Sequence, residues 1–163
     1  MKRLSLVLSF CVILLSGCWD RVEMEELGII TGIAIDQMDD GNIQVSAQLF
    51  IPRAITSGET GEDPSVGNSF VREGIGESMA QAISKLQANV PRRLFWAQNK
   101  VYIFSEELAT SHGIRDEIDY LARHPAPRSV AFLYVGEGKA SQYLELVPPL
   151  ERFTGEALRK MTL

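Results

Sequence analysis

Apolar side chains follow distinct rhythms along this chain, and each rhythm predicts an element. Residues 29–36 (Ile-Ile-Thr-Gly-Ile-Ala-Ile-Asp) are rich in β-branched side chains and lead to a turn signal, Asp39-Asp40-Gly41. The next run alternates: Ile43, Val45, Ala47, Leu49 and Ile51 take one face, Gln44, Ser46 and Gln48 the other. A period of two predicts a half-buried strand, and the two runs with their short link predict a β-hairpin stopped by Pro52. Residues 53–68 are rich in Gly, Ser, Thr and acidic side chains and read as a long exposed loop. A short strand is expected after it, at Phe70-Val71-Arg72.

From Ile75 the period lengthens. Ile75, Met79, Ile83, Leu86 and Val90 form one stripe of an amphipathic helix, ended by Pro91. Strand returns over 98–104, centred on Val101-Tyr102-Ile103-Phe104, and Ser105 is placed to cap a short helix that stops at Gly113. A further helix is expected at 114–123, with Ile114, Ile118, Leu121 and Ala122 inward and Asp116, Glu117 and Arg123 outward. Val130–Val135 is apolar without alternation, the pattern of a central strand covered on both faces. Gly136 and Gly138 bracket a turn into a short helix at 139–146, and 151–163 reads as the first turns of another. The whole predicts an α/β (α+β) domain: a mixed β-sheet of about five strands that starts with a hairpin, with helices packed on it.

The first residues belong to a different rhythm. Lys2 and Arg3 precede an apolar run, Leu4 to Leu15, that closes on Ser16-Gly17-Cys18. A basic start, an apolar core and a small-residue exit form a secretory signal. A Cys directly after the exit makes it a bacterial lipoprotein signal, with the Cys18 thiol carrying diacylglyceryl. One acyl chain gives only marginal membrane binding, at about 0.8 kcal/mol per buried methylene, so two chains should hold the domain on the membrane. The run is shorter than the roughly 20 apolar residues that span a bilayer. The expected organisation is a signal peptide at 1–17, a domain at 18–148 and the start of a linker helix at 149–163.

Charge and chemistry narrow the function. The whole chain carries a net charge of −5, and loss of Lys2 and Arg3 with the signal makes the remainder more acidic. That balance argues against nucleic acid. The chain has two cysteines, Cys11 and Cys18; one leaves with the signal and the other takes the lipid, so no disulfide, thiol chemistry or cofactor is expected. Gly74-Ile75-Gly76 stands where a dinucleotide loop would lie, but Met79 replaces the third small residue and no acid follows at the required distance. The glycines are instead expected to make a strand-to-helix turn. His112 and His124 have no ligand partner at metal spacing. Phe95-Trp96 is expected in the core. Arg92 and Arg93 after Pro91, with Arg123 and Arg128 around a Pro-rich turn, are candidates for a partner contact. No catalytic motif is present, and an enzyme is the least supported class.

Cys18-Trp19-Asp20-Arg21, with Glu25, Leu27, Thr31 and Gly32-Ile33-Ala34-Ile35-Asp36, resembles the start of the Ger(x)C family of spore germination lipoproteins. The likeness continues through Pro91-Arg92, Asn99-Lys100-Val101, Ser105-Glu106-Glu107-Leu108-Ala109, Gly113-Ile114, Asp119, Leu121, Arg123, Arg128 and Gly138-Lys139-Ala140. The chain departs from the family at Gln98, where many members have His. The resemblance implies the C subunit of a nutrient germinant receptor, anchored through Cys18 at the spore inner membrane beside two integral-membrane subunits, A and B. It also implies a family protein more than twice this length, so the chain is expected to be a shortened form or a fragment. The rivals are a solute-binding lipoprotein and a non-functional remnant.

Overall fold

The computed structural model describes residues 26–50, 69–111, 113–124, 131–146, 148, 149, 151 and 153–162. The signal segment with Cys18, the 53–68 loop, His112 and Arg128 lie outside the described residues.

The sheet is built around β1 (Leu27–Gln37). On one side β1 pairs antiparallel with β2 (Ile43–Phe50), which pairs antiparallel with β3 (Ser69–Gly76). On the other it pairs parallel with β4 (Arg93–Phe95) along its first residues and with β5 (Val101–Ser105) further on. The parallel strand β6 (Phe132–Gly136) completes the order β3-β2-β1-β5-β6. The mixed sheet and the opening hairpin are as expected; the three-residue β4 is the strand that periodicity missed, being too short to show one.

The hairpin turn is closed by main-chain bonds, Met38 N to Asn42 O and Gly41 N to Met38 O, both 2.8 Å. Gly41 takes φ +83°, which a residue without Cβ adopts freely. Asn42 donates to the Asp40 carboxylate from both its backbone and side-chain nitrogens, and those bonds hold the Asp40 pKa below its usual value.

A bulge at Thr31 sets which residues of β1 face which way. Ile30 is paired with Leu49 and Gly32 with Gln48, leaving Thr31 as the extra residue. Side chains alternate along a strand, so without the bulge Ile30 would face away from Ile33 and Ile35. With it, all three point to the same face and join Val45, Ala47, Leu49, Tyr102 and Phe104 in one core cluster. Helix α1 (Met79–Ala88) covers this face with Met79, Ala82, Ile83 and Leu86. Helices α2 (Glu106–Ser111) and α3 (Arg115–Arg123) add Leu108 and Leu121. Ser105 Oγ accepts from Leu108 N at 3.3 Å, the expected cap of α2, and Gly113 ends the segment at φ +76°.

The second face is covered by α4 (Ser141–Glu145) and α5 (Thr154–Met161). Its cluster is smaller: Ala34, Val101, Ile103, Ala140 and Leu144, flanked by Phe132, Tyr134 and Leu158.

Four expectations need correction. Ile75 and both glycines of Gly74-Ile75-Gly76 lie inside β3, and the helix starts only at Met79. The glycines are a notch for that helix: a Cβ on Gly74 would come within 2.2 Å of Ala82 O, and one on Gly76 within 2.6 Å of Ala82 N. Gln44, Ser46 and Gln48 do not face solvent; all three are buried. In place of the central strand expected at Val130–Val135, β6 ends the sheet order among the described residues, and Phe132–Val135 alternate between half-buried and exposed positions. On α3, Ala122 is exposed and Glu117 is buried, the reverse of the expected facing.

Candidate interaction surfaces

The buried polar positions of β1 and β2 form a seam that fastens the second face. Thr31 Oγ1 donates to Gln48, whose Nε2 donates to Leu144 O at 2.8 Å. Thr154 Oγ1 donates to Leu146 O at 2.7 Å. At the end of β1, the buried Asp36 carboxylate accepts from the backbone nitrogens of Ala140 at 2.6 Å and Ser141 at 3.0 Å. Those N–H groups open α4 and would otherwise lack partners, so Asp36 caps a helix 104 residues away in sequence. Gly155 completes the seam by letting α5 touch β1 directly; a Cβ there would lie 2.5 Å from Thr31 O. Thr31 and Asp36, read from sequence as parts of a hairpin, are thus the seats of two C-terminal helices.

A cleft of about 390 Å³ lies at the carboxyl ends of the parallel strands, lined by Asp36, Asp39, Ser105, Glu106, Glu107 and Lys139 among others. Asp36 is already committed to α4, and the remaining charges are exposed. Of the histidines, His124 lies elsewhere, tilted against Trp96 and Tyr120. Among the described residues no group of His, Cys, Asp and Glu is arranged to hold a metal ion.

The two ends of the sheet differ in what they present. At β3, Arg72 and Glu73 are exposed, and charges of this kind discourage strand pairing. At β6, Leu133 and Val135 are 51 % and 56 % exposed on the same face as the core residues Tyr102 and Phe104. This apolar rim was invisible in sequence because an apolar run looks the same whether it is covered on both faces or on one.

Three of the predicted arginines lie among the described residues. Arg93 is exposed on β4, and Arg92 is half-buried with Nη1 buried and unpaired. Arg123 is exposed at the end of α3 and pairs with Asp119 at 3.0 Å. The chain after Arg93 and the chain after Arg123 meet where the Trp96 ring lies 6.2 Å from that of His124. Trp96 is buried as expected, whereas Phe95 is 37 % exposed. Gln98 is exposed on a single 3₁₀ turn. Nearby, Asn99 is fully buried, and its backbone nitrogen donates to Trp96 O at 3.0 Å. Burial raises the pKa of Tyr102, with Asn99 acting in the opposite direction.

Residues 20–162 match the family described as spore germination protein N-terminal domain. The chain belongs to that family. Its relatives include spore germination protein KC of Bacillus subtilis (strain 168), 28% identical over 162 residues, covering 96% of this chain and 39% of that protein. Putative spore germination protein YfkR of the same organism is 30% identical over 154 residues, covering 93% and 39%. Spore germination protein A3, also from that strain, is 24% identical over 147 residues, covering 90% and 38%. The chain therefore spans well under half the length of these germination proteins. No solved structure matches it. The family match covers the whole described sheet and every helix on it, including α5. No helix among the described residues is long and apolar enough to cross a membrane.

Proposed function

We propose that this chain is the N-terminal domain of a lipid-anchored subunit of a spore nutrient germinant receptor, acting in germination through protein contacts. The family match carries this reading: it begins at Asp20, two residues beyond Cys18. The domain would thus hang directly from a diacylglyceryl group on Cys18, on the outer face of the spore inner membrane. Its partners would be the integral-membrane A and B subunits. The exposed Leu133–Val135 rim and the Arg92, Arg93, Arg123 and Arg128 turns are the proposed contact surfaces. An exposed apolar patch is a usual form of a protein-binding surface.

Loss of the gene should abolish germination in response to the nutrient while leaving vegetative growth unchanged. Normal germination in the deletion strain would refute the reading. Cys18→Ala should move the protein out of the membrane fraction, as followed by fractionation of spore lysates.

A further inference from the structure

A second cleft of about 390 Å³ lies on the first face, between the β1–β2 turn, the start of α1 and α3. It is lined by three carboxylates, Glu77, Asp116 and Glu117, and by no Lys or Arg. Glu77 and Asp116 are exposed, but Glu117 is only 9 % exposed. Its Oε2 is buried and meets no hydrogen-bond donor. A buried carboxylate oxygen without a partner is strongly unfavourable, and native structures leave few of them. The rest of the lining includes the buried apolar residues Ile43, Met79 and Leu108, with Tyr120 beside them.

The chemistry that completes this cleft is a cation with an apolar stem. A calcium ion needs six or more oxygens, and no group of acidic residues, His and Cys among the described residues is arranged to hold a metal. An ammonium group asks for less: it donates three hydrogen bonds and can place one on Glu117 and others on the rim. An aliphatic stem would lie on Ile43, Met79 and Leu108, and the Tyr120 ring offers a cation–π contact. We propose that this cleft binds a primary aliphatic ammonium group, with Glu117 as its buried counter-charge. A free alkylamine and a lysine side chain of a partner share this chemistry. The inference rests on the cleft alone and does not depend on the receptor reading.

The test is titration of the full chain in detergent with n-butylammonium, with Nα-acetyl-lysine amide and with calcium chloride, by calorimetry and by NMR of the Met79 methyl. Saturable binding of an ammonium probe is expected, with a shift of the Met79 signal. Glu117→Gln keeps the side-chain volume and should weaken that binding about tenfold. Should that variant fail to fold, the exposed pair Glu77→Gln and Asp116→Asn carries the test, with about threefold weakening expected. Tighter butylammonium binding identifies a free amine and tighter lysine-amide binding a protein-borne lysine; either upholds the proposal. Absence of saturable binding, unchanged affinity in the folded variants, or calcium binding that excludes both ammonium probes would overturn it.

Discussion

The two faces of the sheet are closed by different physics. The first is closed by shape: α1 drops into the notch left by Gly74 and Gly76 and buries Leu86 completely. The second is closed by addressed polar contacts, with Gln48 reaching Leu144 O and Asp36 capping α4. Shape closure buries more apolar area and dominates stability, since each buried side chain contributes about 1.5–3 kcal/mol. Polar closure contributes less net energy but specifies position, because a displaced helix would leave buried carbonyls and a carboxylate without partners. The difference teaches that the hairpin is the organising unit: its apolar positions choose the first layer of helices and its polar positions the second.

This contrast can be broken at several points. Gly74→Val should have the largest effect, because its Cβ collides with the backbone of α1 and not with a movable side chain. A loss above about 3 kcal/mol is expected in urea unfolding. Leu86→Ala leaves a cavity under the same helix and should cost about 3 kcal/mol by the same measurement. On the second face, Gln48→Ala strands Leu144 O, leaves the Thr31 hydroxyl only the backbone carbonyl of residue 48, and should cost about 2 kcal/mol. Hydrogen exchange should then show early opening of α4 while α1 stays protected; equal opening of both helices would mean that the two closures are one. At the small end, Arg123→Ala removes an exposed pair to Asp119 and should change stability by less than about 0.5 kcal/mol. Leu133→Ser with Val135→Ser should also leave the melting temperature nearly unchanged. Under the proposed receptor role, its expected effect is on recovery of the proposed partner subunits in pull-downs from spore membranes, which separates the rim from the core.

How much of this was legible in the sequence varies with the element. The hairpin was clear because its period of two is sustained and its turn is marked by Asp-Asp-Gly. The α1 stripe was legible from Met79 onward, but Ile75 was drawn into it by spacing alone, since a strand residue can fall on a helical period by chance. Gly74 and Gly76 read as turn formers because a glycine in sequence does not say whether it needs freedom of φ or lacks room for a Cβ. Glu117 was assigned to solvent by its charge, yet the facing of α3 against α1 puts it in the cleft and exposes Ala122. The meeting of Trp96 with His124 across the fold was not legible, because nothing local in the chain links positions 96 and 124.

The sequence by itself determined the fold class, the opening hairpin, the amphipathic helix and the family, because these rest on local period and on residues close together in the chain. Only the tertiary structure decided that the polar positions of β2 are buried, that β6 is an edge, and that Asp36 caps a helix near residue 140. Those facts depend on which strand becomes each strand's neighbour and which helix lies on each face. Such pairings arise from long-range packing and leave no period in the chain.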